Sequence, residues 1–103
     1  MQVIHHPRVA WDTARLIVAA VPDDDLFAWL CAEVGELLGP GYEDSLRDTH
    51  RRLRPPVAPD NAQLEAGRWR VRLEELLRSR PEIAEPLRSL TVIASGLHRN
   101  RLG

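Results

Sequence analysis

Apolar residues recur along this chain at intervals of three and four, the spacing that lays a stripe down one side of an α-helix. Two such stripes meet between residues 60 and 96, at a Ser-Arg-Pro-Glu break. Ala62, Ala66, Trp69, Leu73, Leu76 and Leu77 form the first, and Asp60 with Gln63 three residues on has the spacing of a capping box at its start. Ile83, Leu87, Leu90 and Ala94, with Ile93 beside them, form the second. Ser79 and Glu82 around Pro81 mark where it begins, and Gly96 is placed where a left-handed residue would end it. The pair predicts a helical hairpin. Pro86, about a turn inside the second helix, lacks an amide to donate and predicts a kink or restart there. The β-branched run Thr91, Val92 and Ile93 leaves a short strand over residues 90–93 as the alternative. Gly67 costs the first helix roughly 1 kcal/mol relative to Ala, and close approach of another backbone would account for it.

The same pattern predicts three earlier helices. Trp11, Ala14, Ile17, Val18 and Val21 share one face of a helix from Arg8 to Val21, closed by Pro22. Asp23, Asp24 and Asp25 then suit the first turn of the next helix, whose free amides carry partial positive charge. That helix, Asp24 to Leu38, carries Phe27, Leu30, Val34 and Leu37 on one face; Leu26 and Trp29 lie on an adjoining face that ends in Glu33 and Glu36. Gly39 and Pro40 stop it. Tyr42, Leu46, Thr49 and Leu53 define a third helix, acidic at its start and basic at its end, with His50 packed beside the stripe. Residues 1–7 read as a tail, residues 54–60 with three prolines as a stiff connector, and residues 97–103 as a basic tail that frays. The expected fold is all-α: one domain over residues 1–103, a compact antiparallel bundle of about five short helices, the last two forming a hairpin with a proline kink.

Composition narrows the class. A chain of 103 residues with 44% hydrophobic and 28% charged residues builds one globular core and is not disordered. All fourteen basic residues are Arg and none is Lys, which reads as the codon usage of a GC-rich bacterial genome. The phrase RLEELLRSRPEIAEPLRSLT resembles short helical hairpins common in proteins of GC-rich bacteria, a resemblance that implies no activity. Net charge is −1, so the chain as a whole is not drawn to nucleic acid or anionic lipid. Its distribution is uneven: residues 1–45 hold two Arg against eight acids and residues 46–103 twelve Arg against seven, net −6 and +5. Pairing of these halves within the fold is one outcome, and self-association that pairs them between copies is the other. The single Cys31 excludes an internal disulfide and suits a buried thiol. No leader pattern stands at the start, and no apolar run approaches the roughly 20 residues that span a bilayer, so the expected location is cytoplasmic.

A catalytic constellation is missing from the pattern. Ser, Thr and Cys31 stand in no nucleophile elbow or Cys-His signature, GPGY at residues 39–42 lacks the Gly spacing and Lys of a phosphate loop, and His5 with His6 point apart on an extended segment. The chain is therefore expected not to be an enzyme, and to need no metal or cofactor. Nine Arg between residues 47 and 80 invite nucleic acid, but Asp48, Asp60, Glu65, Glu74, Glu75 and Glu82 interrupt them, and Arg70 points away from the side that Arg68 and Arg72 share. The leading expectation is a non-enzymatic helical protein–protein interaction module that self-associates. Its surface would be Leu26, Trp29 and Glu33 on the second helix and Arg68 and Arg72 on the hairpin. The alternative is a small DNA- or RNA-binding regulator or antitoxin-like protein using residues 47–80.

Overall fold

Five helices carry those stripes in the computed structural model, which describes residues 5–53 and 59–102. They are α1 (His6–Ala20), α2 (Asp24–Leu38), α3 (Pro40–Arg52), α4 (Pro59–Ser79) and α5 (Ala84–Leu102), with a 3-10 turn at Pro81–Ile83 between the last two. No strand occurs among the described residues, and Thr91, Val92 and Ile93 are helical. The Cα radius of gyration, 13.1 Å, is that of a compact chain of about 100 residues.

Helix α1 is the spine. It packs along α4 more extensively than any other pair of elements, and on α5 next. Small residues allow this: Ala10, Ala14 and Ala20 are fully buried, and with no side chain beyond Cβ they let neighbouring helices approach closely. Trp69, Leu73, Leu76 and Leu77 of α4 and Leu87 and Ala94 of α5 join them in one apolar cluster with Phe27, Leu30, Cys31 and Val34 of α2. One polar pair crosses that core. The Thr13 and Thr91 hydroxyls lie 2.8 Å apart, and each also donates back to a carbonyl four residues earlier on its own helix. One oxygen shared in this way cannot donate twice, so one of the three bonds is always without its proton. Replacing Ala14 by Val adds two methyl groups where no space is left and is expected to cost about 1–2 kcal/mol, measured by urea unfolding; an unchanged midpoint would contradict the close contact.

Helix ends depart from expectation in four places. α1 begins at His6, inside the segment read as a tail, because Pro7 is favoured in a first turn, where amides are free in any case. α4 begins at Pro59 for the same reason, so Asp60 lies in the first turn and the expected capping box is displaced; residues 54–58 of the connector lie outside the described residues. Ser79 caps nothing: it is the last residue of α4, its hydroxyl donating to the Glu75 carbonyl, and Pro81 starts the 3-10 turn. Pro86 accordingly falls in the first turn of α5, where its missing amide takes no bond from the helix.

The fourth departure is the largest. α5 does not stop at Gly96 but continues to Leu102, through the basic segment expected to fray. Arg101 supplies the reason, since its guanidinium reaches Asp23 and Asp25 at the start of α2 and ties the last turn of the chain to the α1–α2 corner. Arg99 and Arg101 also suit the negative end of the helix. Asp23 caps α2 as expected, accepting from the Leu26 amide at 3.1 Å. The bond from Arg101 and then that from the amide hold its carboxyl below the usual carboxylate range. Only Gly39 among the described residues has positive φ, +103°, which lets α3 follow α2 with this single residue between them. No described helix is long and apolar enough to cross a membrane.

Candidate functional site

Helices α3 and α4 are joined by side chains that bridge a cleft. On α3, Ser45, Thr49 and Arg52 follow at intervals of four and three, and on α4, Glu65, Arg68, Trp69 and Arg72 do the same, so each set occupies one face. The floor is a polar contact in apolar surroundings: the Trp69 indole N–H donates to the Thr49 hydroxyl at 2.8 Å, and both residues are buried. A large indole and a β-branched hydroxyl thereby satisfy each other, as buried polar groups must.

Glu65 forms one end of the cleft and is only 5% exposed. Arg52 grips it with two parallel bonds, Nε to Oε1 at 2.6 Å and Nη2 to Oε2 at 3.0 Å, while Arg68 Nη1 lies 3.5 Å from Oε1. Arg52 also donates to Thr49 at 3.3 Å. The Arg52 bonds hold the Glu65 carboxyl below its ordinary value against the opposing effect of burial, and Glu65 in turn raises the Arg52 guanidinium. This end is a closed ion pair.

The other end is different in kind. Arg72 has no carboxylate within ion-pair distance among the described residues; its Nη1 donates to the Ser45 hydroxyl. Its guanidinium carbon stands 4.4 Å from the Tyr42 ring centre and 5.5 Å from that of Trp69. Attraction to two aromatic faces holds the charge in place without neutralising it. The remaining cations nearby are committed, since Arg51 is paired with Asp48 and Arg47 with Glu43. The cleft encloses about 250 Å³ and continues along α4 into a second depression of about 290 Å³, with which it shares Arg52, Glu65 and Arg68. Leu64, 59% exposed, lies on the wall of that extension.

Of the residues expected at an interface, Arg68 and Arg72 are thus brought together. Leu26 is not available to a partner. It is 4% exposed and belongs to the core, because α2 is covered by α1, α3 and α5 and the wide apolar surface that suggested a free face is used inside the molecule. Trp29 is half-buried against the core, and Glu33 is exposed. Spacing alone does not single out Tyr42, Ser45, Thr49, Leu64 and Glu65 as site residues, and Arg52 enters only as part of the basic segment 47–80. Thr49 and Trp69 each carry a hydrogen-bonding group within an apolar stripe, a signal that they need partners.

Other reactive groups are occupied or enclosed. Cys31 is buried, and burial pushes its thiol up, so it is protonated at neutral pH. His50 lies against Phe27, ring centres 5.0 Å apart, with Nε2 3.2 Å from Asp24. Trp11, 41% exposed, is flanked by Arg15 and Arg70 at 5.9 and 5.7 Å from its ring. No group of three His, Cys, Asp or Glu that could hold a metal occurs among the described residues. No family model, curated protein or solved structure matches the chain.

Proposed function

We propose that the chain is a non-enzymatic helical interaction module that takes an acidic side chain of a protein partner into the α3–α4 cleft, and that its own copies are such partners. The observation that carries this reading is Arg72, a guanidinium held by Ser45 and two aromatic rings, with no carboxylate within ion-pair distance among the described residues. A guanidinium presents a rigid fork that matches a carboxylate with two bonds. Because the rings have already restricted the side chain, less conformational entropy is lost when that carboxylate arrives. On the same reading neighbouring helices run antiparallel, the sense favoured by connections of three residues between α1 and α2 and one between α2 and α3. The module works in the cytoplasm of a GC-rich bacterium.

Light scattering after size exclusion tests it. Association is expected by about 100 μM, above the Kd of weak protein interfaces, and Arg72→Ala is expected to weaken it about tenfold. A strict monomer across that range removes self-association from the proposal. Nucleic acid is the second reading. Against it, Arg47, Arg51, Arg52, Arg68 and Arg80 already hold carboxylates, which a phosphate backbone would have to displace. Duplex binding that falls steeply with salt would favour that reading instead.

A further inference from the structure

We infer that the acidic group received by the cleft belongs to α2 of a second copy, docked parallel to α4 so that Trp29, Glu33 and Glu36 meet Leu64, Arg68 and Arg72 in that order. This rests on the proposed function above and names the partner surface.

On α2, Trp29, Glu33 and Glu36 fall within about 60° of one another around the helix, on the side away from Leu30 and Val34. Glu33 and Glu36 are exposed, and neither has an ion-pair partner among the described residues. They are surplus negative charge beside a half-buried indole. On α4, Leu64, Arg68 and Arg72 form a row at steps of four, an exposed apolar residue followed by two guanidiniums. Each helix therefore presents one apolar residue and then two charges, with opposite sign on the two helices.

The spacings agree as well as the order. From Leu64 to Arg72 a helix rises about 12 Å, and from Trp29 to Glu36 about 10.5 Å, so the rows run out of register by about 1.5 Å over their length. The order matches only when the helices run parallel, which puts Trp29 over Leu64, Glu33 at Arg68 and Glu36 at Arg72. Arg68 can take Glu33 without releasing Glu65, because that bond uses one of five N–H donors and is the longest in the network at 3.5 Å. Arg72 has no carboxylate to exchange among the described residues. The aromatic contact covers apolar surface that Leu64 otherwise leaves in water, and the charges set direction and register.

Charge exchange tests the pairing on the full chain. Glu33→Arg with Glu36→Arg changes two exposed residues that hold no internal ion pair, so this variant keeps the fold, verified by its melting temperature. It is expected to lose self-association at least tenfold. Arg68→Glu with Arg72→Glu is expected to do the same, and Leu64→Asp gives a third variant that leaves the Arg52–Glu65 pair untouched. The decisive measurement mixes the two charge-reversed proteins in equal amounts, where oppositely altered surfaces should restore association to near the wild-type level. If the wild-type chain associates and Arg68→Glu with Arg72→Glu does not, while Glu33→Arg with Glu36→Arg associates as before, the cleft reading stands and the α2 surface is the wrong partner. Failure of the mixture to associate overturns the pairing equally. A wild-type chain that never associates overturns this pairing and removes self-association, and leaves the cleft to an acidic group of another protein.

Discussion

Replacing Trp69 by Ala is expected to lower the free energy of unfolding by about 3–5 kcal/mol, much of the 5–15 kcal/mol that stabilises a typical domain. Three losses combine at this one position: a buried indole is removed from the α1–α4 packing, Thr49 loses a donor at 2.8 Å, and Arg72 loses one of its two rings. Trp69→Phe separates them. The phenyl ring keeps most of the apolar contact, and Thr49 keeps a donor from Arg52, so the loss should be about 1 kcal/mol, that of one hydrogen bond. Urea unfolding of both variants measures the difference. A loss below about 1 kcal/mol for Ala would mean that Trp69 does not hold α3 against α4.

Arg52→Met is expected to cost about 2 kcal/mol at pH 7, with a dependence on pH that identifies its cause. The substitution keeps the stem of the side chain but leaves the enclosed Glu65 carboxylate with only Arg68 and Thr49. Breaking a buried pair costs more than this, but Arg52 is itself half-exposed, which reduces the effect. In the wild type the folded pKa of Glu65 lies below its unfolded value of about 4.3, so the pair contributes fully above that pH and its contribution is lost as pH falls through the folded value. Asp23 is shifted in the same direction and loses its contribution over a similar range. The gap between wild type and Arg52→Met should therefore be widest near neutrality and narrow as pH falls below the unfolded value toward the folded one, as the carboxyl takes up its proton. Melting curves from pH 3 to 7 measure it. A gap that stays constant across this range would show that only packing, and no ion pair, had been lost.

Local periodicity was enough to find all five helices, since the apolar spacing of each is a property of a few turns. The fate of a helix end was less legible. Gly96 has the composition of a stop, and what carries α5 past it is Arg101 bonded to Asp23, 78 residues away in the chain. The misplacement of Leu26 has a related origin. A helix with apolar residues over much of its circumference shows that it will be covered, but the side left open depends on where α5 lies, and no local pattern contains that. In the site, the shared face of Arg68 and Arg72 follows from their spacing. The groups that distinguish the two do not, because Ser45 and Thr49 arrive from α3 across 27 and 20 residues of chain. Two arginines that share a face in sequence thus differ in space: Arg68 joins Arg52 on the Glu65 carboxylate, and Arg72 is held by Ser45 and two rings.

Gly39 is the whole joint between α2, which bears the acidic edge, and α3, which forms one wall of the arginine cleft. Its left-handed backbone sets the angle between these two elements, and no other amino acid adopts it without strain. If one copy's edge fills the next copy's cleft, the rotation relating successive subunits is set by how α2 and the cleft are placed within one chain, and this joint is part of that placement. A rotation that divides a full turn closes the series as a ring, and any other extends it as a filament.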